Sequence, residues 1–304
     1  MRIAEVHSTD LTEPCMRKTY HRHRGEVTGE ATTALYRGLV AGKALELLHG
    51  DWDEPTPELT IAAASDVAKS LVDEGRIISD SVENNRQDIL AEVSEVVDLY
   101  RDRFEPLFSK CQFIGAEVPV RLSLPFGEFA SHLDLLVRDT HNSFGWGKGR
   151  LVCFDWKWRA DTATYPYLAR NLQFALYYLM ILKGKTKAFE GKGEFDWISF
   201  EEEATVAWLD LTALKPYRRK TTTLNEVGEL VERKKGDLRP MKSILKGVNY
   251  GNGAVHDVEE ELKNRIKLFD LGIYPLNPHP VACMVCEAEA FCSRFDMTQT
   301  GDTK

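Results

Sequence analysis

Three cysteines near the C-terminal end, Cys283, Cys286 and Cys292, are spaced C-x2-C-x5-C within PHPVACMVCEAEAFC. A fourth, Cys15 in EPCMRKTY, lies near the opposite end of the chain. Thiolates at this spacing are soft metal ligands, and four of them drawn from both ends would bind the ends into one centre. Such a staple closes a very long loop and favours one folded unit over residues 1–304. Disulfides are the competing explanation. The segment MRIAEVHSTDLTEP lacks the apolar centre of a signal peptide, and no run approaches the ~20 apolar residues of a membrane span. The expectation is therefore a cytoplasmic protein with no membrane association, where structural disulfides are rare. Spacing alone leaves zinc and an iron–sulfur cluster equally open. Cys111 and Cys153 sit in apolar surroundings and read as core residues.

The formal net charge is −8, which excludes a chain uniformly coated in basic residues. It leaves room for basic residues gathered locally. Three such groups stand out: Arg17, Lys18, Arg22 and Arg24; Lys215, Arg218, Arg219 and Lys220; and Arg233, Lys234 and Lys235. Taken singly, each reads as a solvated face.

Hydrophobic periodicity predicts a helix over about 28–49, with Leu35, Leu39, Leu45 and Leu48 near helical spacing. Two prolines in DWDEPTP break it. Two more helices are predicted over about 58–75 and 84–104, the latter with Ile89, Val93, Val96, Val97 and Tyr100 on one side. Then the pattern alternates. FIGAEVPVRLSL and EFASHLDLLVRD read as a hairpin turned at Pro125–Gly127. RLVCFDWKWR reads as a buried third strand, a helix follows over about 165–183, and ATVAWLDL is a fourth strand. A late helix, VEEELKNRIKLFDLG, precedes an extended, proline-containing tail. This order predicts an α/β fold: a small mixed sheet flanked by helices, within a single domain. Its parts are an N-terminal segment (1–27), a helical region with the α/β core (28–275) and the cysteine segment (276–304).

Chemistry concentrates in the middle of the chain. Side chains alternate along a strand, so Asp155 and Lys157 point one way while Phe154, Trp156 and Trp158 point the other. A lone D-x-K is common and by itself reads as a surface ion pair. Asp134, a solitary acid in the preceding strand, changes that reading, because a hairpin strand beside the D-x-K strand can bring the two aspartates together. Two close carboxylates repel unless a cation lies between them, and hard oxygen ligands suit Mg2+ or Mn2+. Gln173 and Tyr177 are four apart and share a helix face, with Arg170 three residues before Gln173. Pointing away from the core, they would meet a phosphate or a base.

These residues together resemble the RecB-like branch of the PD-(D/E)XK nuclease superfamily. That pattern is an acid on a hairpin strand (Asp134), then (D/E)-x-K (Asp155 and Lys157), then Q-x3-Y (Gln173 and Tyr177). The upstream R-G-x3-H-x2-L-E motif is matched by Arg37, Gly38, Leu45 and Glu46, with Gly42 where the histidine stands. The cysteines resemble those of AddB-type helicase–nucleases and CRISPR-associated RecB-like exonucleases. The resemblance spans nearly the whole chain. It implies a restriction-endonuclease-like core and a [4Fe–4S] cluster on Cys15, Cys283, Cys286 and Cys292, with Zn2+ as the alternative. It implies a Mg2+ or Mn2+ ion resting on Asp134, Asp155 and the Trp156 carbonyl, with Glu46 nearby. His49 and His132 are candidates to stand in for the missing histidine.

The resulting expectation is a metal-dependent DNA exonuclease. Asp134, Asp155 and Lys157 would be catalytic, with Gln173, Tyr177 and Arg170 contacting DNA ends or single strands. It would serve DNA recombination, repair, phage DNA metabolism or CRISPR adaptation, alone or as an oligomer. No G-x4-G-K-[ST] phosphate loop is present, so any helicase would be a partner chain, as would an annealing protein or a CRISPR integrase. The rival reading is a catalytically weak adaptor that delivers DNA to a partner enzyme.

Overall fold

The computed structural model describes residues 6–7, 30–50, 55–158, 168, 171–187, 197–218, 220–224 and 230–270. The helical half comes first. Helix α1 (Thr33–His49) starts where the Thr32 hydroxyl accepts the Leu35 N–H. Helix α2 (Thr56–Asp73) begins with proline in its first turn, a position that needs no N–H. After the short α3 (Asp80–Asn84), helix α4 (Arg86–Phe108) buries Ile89, Val93, Val96, Val97, Tyr100 and Phe104 along one stripe. Of the leucine stripe expected for α1, Leu45 is buried and Leu35 and Leu48 pack against the core, but Leu39 does not. Tyr36, Val40, Ala41, Ala44 and Leu45 face the core, whereas Leu39 is 39% exposed. The small residues explain the rotation: Ala41 and Ala44 let α1 lie close to the sheet, which leaves Leu39 and Gly42 beside a cleft.

Strands β4 (Gln112–Leu124) and β5 (Gly127–Asp139) form the expected hairpin, with Leu124 paired to Gly127 across a two-residue turn. Strand β6 (Arg150–Lys157) runs antiparallel to β5, and β9 (Ala204–Asp210) runs parallel to β6. Between them lies α5 (Leu172–Lys183), as a parallel crossover requires. Helix α5 starts at Leu172, with Asn171 capping Phe174; most of the earlier turn predicted from 165 lies outside the described residues.

The sheet is larger than the four strands expected. Its order is β12-β9-β6-β5-β4-β7-β8, adding β7 (Lys185–Lys187), β8 (Trp197–Ile198) and β12 (Leu245–Asn249), while β1 (Val6–His7) pairs with β5. Strands β2 (Glu30–Ala31) and β3 (Ile77–Ile78) pair separately, as do β10 (Thr221–Leu224) and β11 (Leu230–Arg233). Helices α6 (Met241–Ile244) and α7 (Asn252–Asp270) complete the order. The extra strands are short or lysine-rich, so alternation carries no signal in them.

The sheet is covered on both faces. Helices α5 and α7 cover one core, which contains Leu151, Cys153 and Tyr177. Helices α1, α2 and α4 cover the other, which contains Val152, Phe154 and Trp156. The alternation along β6 thus follows its sequence. Cys153 is a fully buried free thiol and Cys111 a partly buried one. No helix among the described residues is long and apolar enough to cross a membrane.

Gly184 joins α5 directly to β7. A Cβ there would collide with the carbonyl oxygens of Met180 and Arg121, both backbone atoms that cannot swing away. Gly184→Ala is expected to destabilise the protein by about 1–3 kcal/mol, read as a lowered midpoint in chemical denaturation.

Candidate active site at the β5–β6 junction

The antiparallel register pairs Leu135 with Phe154 and Leu136 with Cys153. The next position on each strand is an aspartate, so Asp134 faces Asp155. The Trp156 N–H donates to Asp134 Oδ2 at 2.8 Å, and Lys157 Nζ donates to Asp155 Oδ1 at 2.7 Å. Asp155 is fully buried, and the Lys157 side chain is about three-quarters buried. Burial, and then the facing Asp155 carboxylate, raise the Asp134 carboxyl above the usual range; Lys157 and the Trp156 N–H act in the opposite sense. The three residues singled out in the sequence therefore do meet.

A fourth acid belongs with them. Ala116 pairs with Leu135 and Val118 with Leu133, so Glu117 lies opposite Asp134 on the other side of β5. Glu117, Asp134 and Asp155 form a row across three adjacent strands. Glu117 has φ +47°, a left-handed conformation that costs a non-glycine residue about 1–3 kcal/mol. The alternation of β5 breaks at the same level, Leu133 joining one core and Leu135 the other. Burial pushes the Glu117 carboxyl up to about 7, with Glu46 adding to the rise and Lys43 and Lys157 opposing it. Glu117 was legible by the criterion that picked out Asp134, a lone acid in an apolar alternating strand.

Glu117 and Asp134 border a cleft of about 670 Å3 between the sheet and helices α1 and α2, with Asp155 buried beside them. Gly42, Lys43 and Glu46 of α1, Asp66 and Asp73 of α2, and Glu117, Asp134 and Trp156 of the sheet line it. Lys43 Nζ bonds Glu46 Oε1 at 2.8 Å. A Cβ added at Gly42 meets nothing within 4 Å, so the missing side chain leaves a hollow in the cleft wall. Among the described residues, no three His, Cys, Asp or Glu side chains already converge as a cation cage. Asp155 is bonded to Lys157, Asp134 to the Trp156 N–H and Glu46 to Lys43.

Other expectations need correction. Neither histidine lines the cleft. The His49 ring stacks on Phe113 and Trp156, and its Nε2 lies 2.7 Å from the Tyr100 hydroxyl. Burial pushes its pKa down to about 4. His132 is exposed. Tyr177 does not point away from the core: its ring is 4% exposed, and Gln173 Nε2 donates to its hydroxyl at 2.8 Å. Burial, then the Asp155 and Asp134 carboxylates, push that phenol well above its ordinary pKa, which places it beneath the acid pair. The reason is the helix itself: Phe174 through Ile181 are all buried, so α5 has no solvent face along that stretch. Gln173 is only half-buried. Arg170, Cys15, Cys283, Cys286 and Cys292 lie outside the described residues.

Because Glu117 binds its proton more tightly in the folded protein, it lowers stability as pH rises from its unfolded value through about 7. Glu117→Gln is therefore expected to raise the thermal midpoint at pH 8 in EDTA and to leave it nearly unchanged at pH 4. An equal shift at both pH values would contradict the burial argument.

No family model matches the chain, and no curated protein matches it. Among solved structures, one described as the crystal structure of SSO0001 aligns over 97% of this chain and 88% of its own, at 9% identity and a TM-score of 0.37. So distant a likeness transfers neither fold nor function.

Proposed function

We propose that this chain is a divalent-metal-dependent DNA exonuclease with a RecB-like PD-(D/E)XK core, hydrolysing phosphodiester bonds at DNA ends or in single strands. The observation that carries the reading is the facing pair Asp134–Asp155, with Asp134 lining an acid-lined cleft and Lys157 bonded to the buried Asp155. The donor set fits Mg2+ or Mn2+: two crowded carboxylates and the Trp156 carbonyl are hard oxygen ligands, with Glu46 and Glu117 lining the cleft beside Asp134. A cation held there supplies Lewis acidity and a more acidic bound water.

The chain's own groups do the remaining work. Asp134 and Asp155 hold the charge that draws the cation in. Asp134 also fixes the end of β6 through the Trp156 N–H, which sets the direction of Lys157. Lys157, shifting its hydrogen bond from Asp155 to a phosphoryl oxygen, stabilises the negative charge that develops during hydrolysis. Tyr177 supports the pair from the α5 side, and Gln173 holds its phenol in place. Gln173 and Arg170 are the proposed DNA contacts on this side.

The proposal includes a [4Fe–4S] cluster on Cys15, Cys283, Cys286 and Cys292, carried by spacing and resemblance alone. Iron and acid-labile sulfide at about four atoms per chain are expected; stoichiometric zinc would replace the cluster with a zinc staple. A helicase, an annealing protein or a CRISPR integrase is the proposed kind of partner. The adaptor reading is favoured by one observation: among the described residues no three acids converge on a cation, beside the hollow at Gly42.

End-labelled DNA separates the two readings. Wild type with Mn2+ is expected to degrade it, whereas Lys157→Ala binds it and cuts at least ~100-fold more slowly. Wild-type binding without cleavage in any divalent metal would favour the adaptor. The hollow yields a second expectation: Gly42→His adds a ligand to the cleft and tightens Mn2+ binding by about tenfold, measured by calorimetric titration without DNA. Unchanged affinity would place the cation elsewhere.

A further inference from the structure

Among the described residues, strands β10 and β11 form a two-stranded ribbon that pairs with no strand of the main sheet. Residues 215–239 carry eight Lys or Arg and four Asp or Glu, in a chain whose net charge is −8. The cations gather at the root of the ribbon. Thr221–Arg233 is the last pair, and the next residue on each strand is a lysine, Lys220 and Lys234. Arg218 and Lys235 stand just beyond, and all but Arg233 of these five are exposed. Like charges on adjoining strands disfavour a hairpin. Among the described residues one carboxylate answers them, Glu232, paired with Lys220 at 2.8 Å. The cluster is thus costly to the ribbon's own folding and suited to an external polyanion.

Its anchorage gives the ribbon a direction. The Tyr217 N–H donates to the Asp237 carbonyl and the Gly236 N–H to the Tyr217 carbonyl, both at 2.9 Å, closing the root. The Arg239 guanidinium lies over the Tyr217 ring, 5.1 Å from its centroid. Lys215 pins the approach to α4 through Glu92 and Glu95, at 3.0 and 2.9 Å. Arg37 of α1, next to the cleft residue Gly38, shares Glu92 at 2.9 Å. The route from the sheet is short. Lys157 pairs with Asp210, and a single 3-10 turn, Leu211–Leu214, leads from there to Lys215. The ribbon therefore leaves the sheet at the C-terminal end of β9, level with the D-x-K end of β6.

We propose that the β10–β11 ribbon is a phosphate-gripping arm, with Arg218, Lys220, Arg233, Lys234 and Lys235 holding the backbone of the nucleic-acid strand that enters the carboxylate cleft. This rests on the nuclease reading of that cleft. The contacts are electrostatic and independent of base sequence, so the arm contributes affinity and register.

The test is the salt dependence of binding to a fluorescent single-stranded oligonucleotide in EDTA, for wild type and for Lys220→Gln/Lys234→Gln/Lys235→Gln. Removing three phosphate contacts is expected to make the slope of log K against log salt shallower by about 2 and to weaken binding at least tenfold at low salt. The thermal midpoint should hold or rise as the like charges go. If the triple variant fails to fold, Arg218→Gln/Lys235→Gln, outside the paired strands, is expected to flatten the slope by about 1.4. A folded variant with the wild-type slope, beside wild type that binds and cuts, overturns the arm and leaves the nuclease reading standing. Wild type that neither binds at low salt nor cuts overturns both.

Discussion

The register between β5 and β6 is the constraint on which the site depends. Leu135 opposite Phe154 and Leu136 opposite Cys153 send alternate residues into two different cores. Slipping by one residue would turn every one of those side chains to the wrong face. The apolar packing of both layers therefore fixes the aspartates one step further along, and the Trp156 N–H locks the position at Asp134. Two carboxylates are held together against their mutual repulsion by hydrophobic contacts that have no part in the chemistry. Asp134 registers the strain as a raised affinity for its proton.

The surrounding charge pattern has the same logic. Glu117, Asp134 and Glu46 bring carboxyl groups to one cleft, with Asp155 buried beside Asp134, and Lys43 pairs with Glu46 as Lys157 does with Asp155. Small residues make the cleft possible. Ala41 and Ala44 seat α1 on the sheet, while Gly42 opens its outer side. The left-handed Glu117 is the local backbone cost of the arrangement, and the cores on both faces of the sheet over-determine it.

Much of this was legible in the sequence. The hairpin, the buried third strand and the Asp134, Asp155 and Lys157 set follow from a two-residue period interrupted by isolated charges. Glu117 carries the same signal but belongs to no short motif. Tyr177 shows a different limit. Spacing of four puts it on one face with Gln173, but nothing in the spacing says that α5 is enclosed on all sides from Phe174 to Ile181. Leu39 departs in the other direction: it stands at helical period, which predicts core, but its small neighbours turn it to the cleft. Strands such as Lys185–Lys187 are set by tertiary pairing with β4, which leaves no local trace.

The central claim is that the facing aspartates share a divalent cation. The most direct measurement is anomalous diffraction from crystals soaked in Mn2+. The account predicts a peak bonded to both Asp134 and Asp155, lost in Asp134→Asn. A manganese site bonded to neither aspartate, or no site at saturating metal, would contradict it.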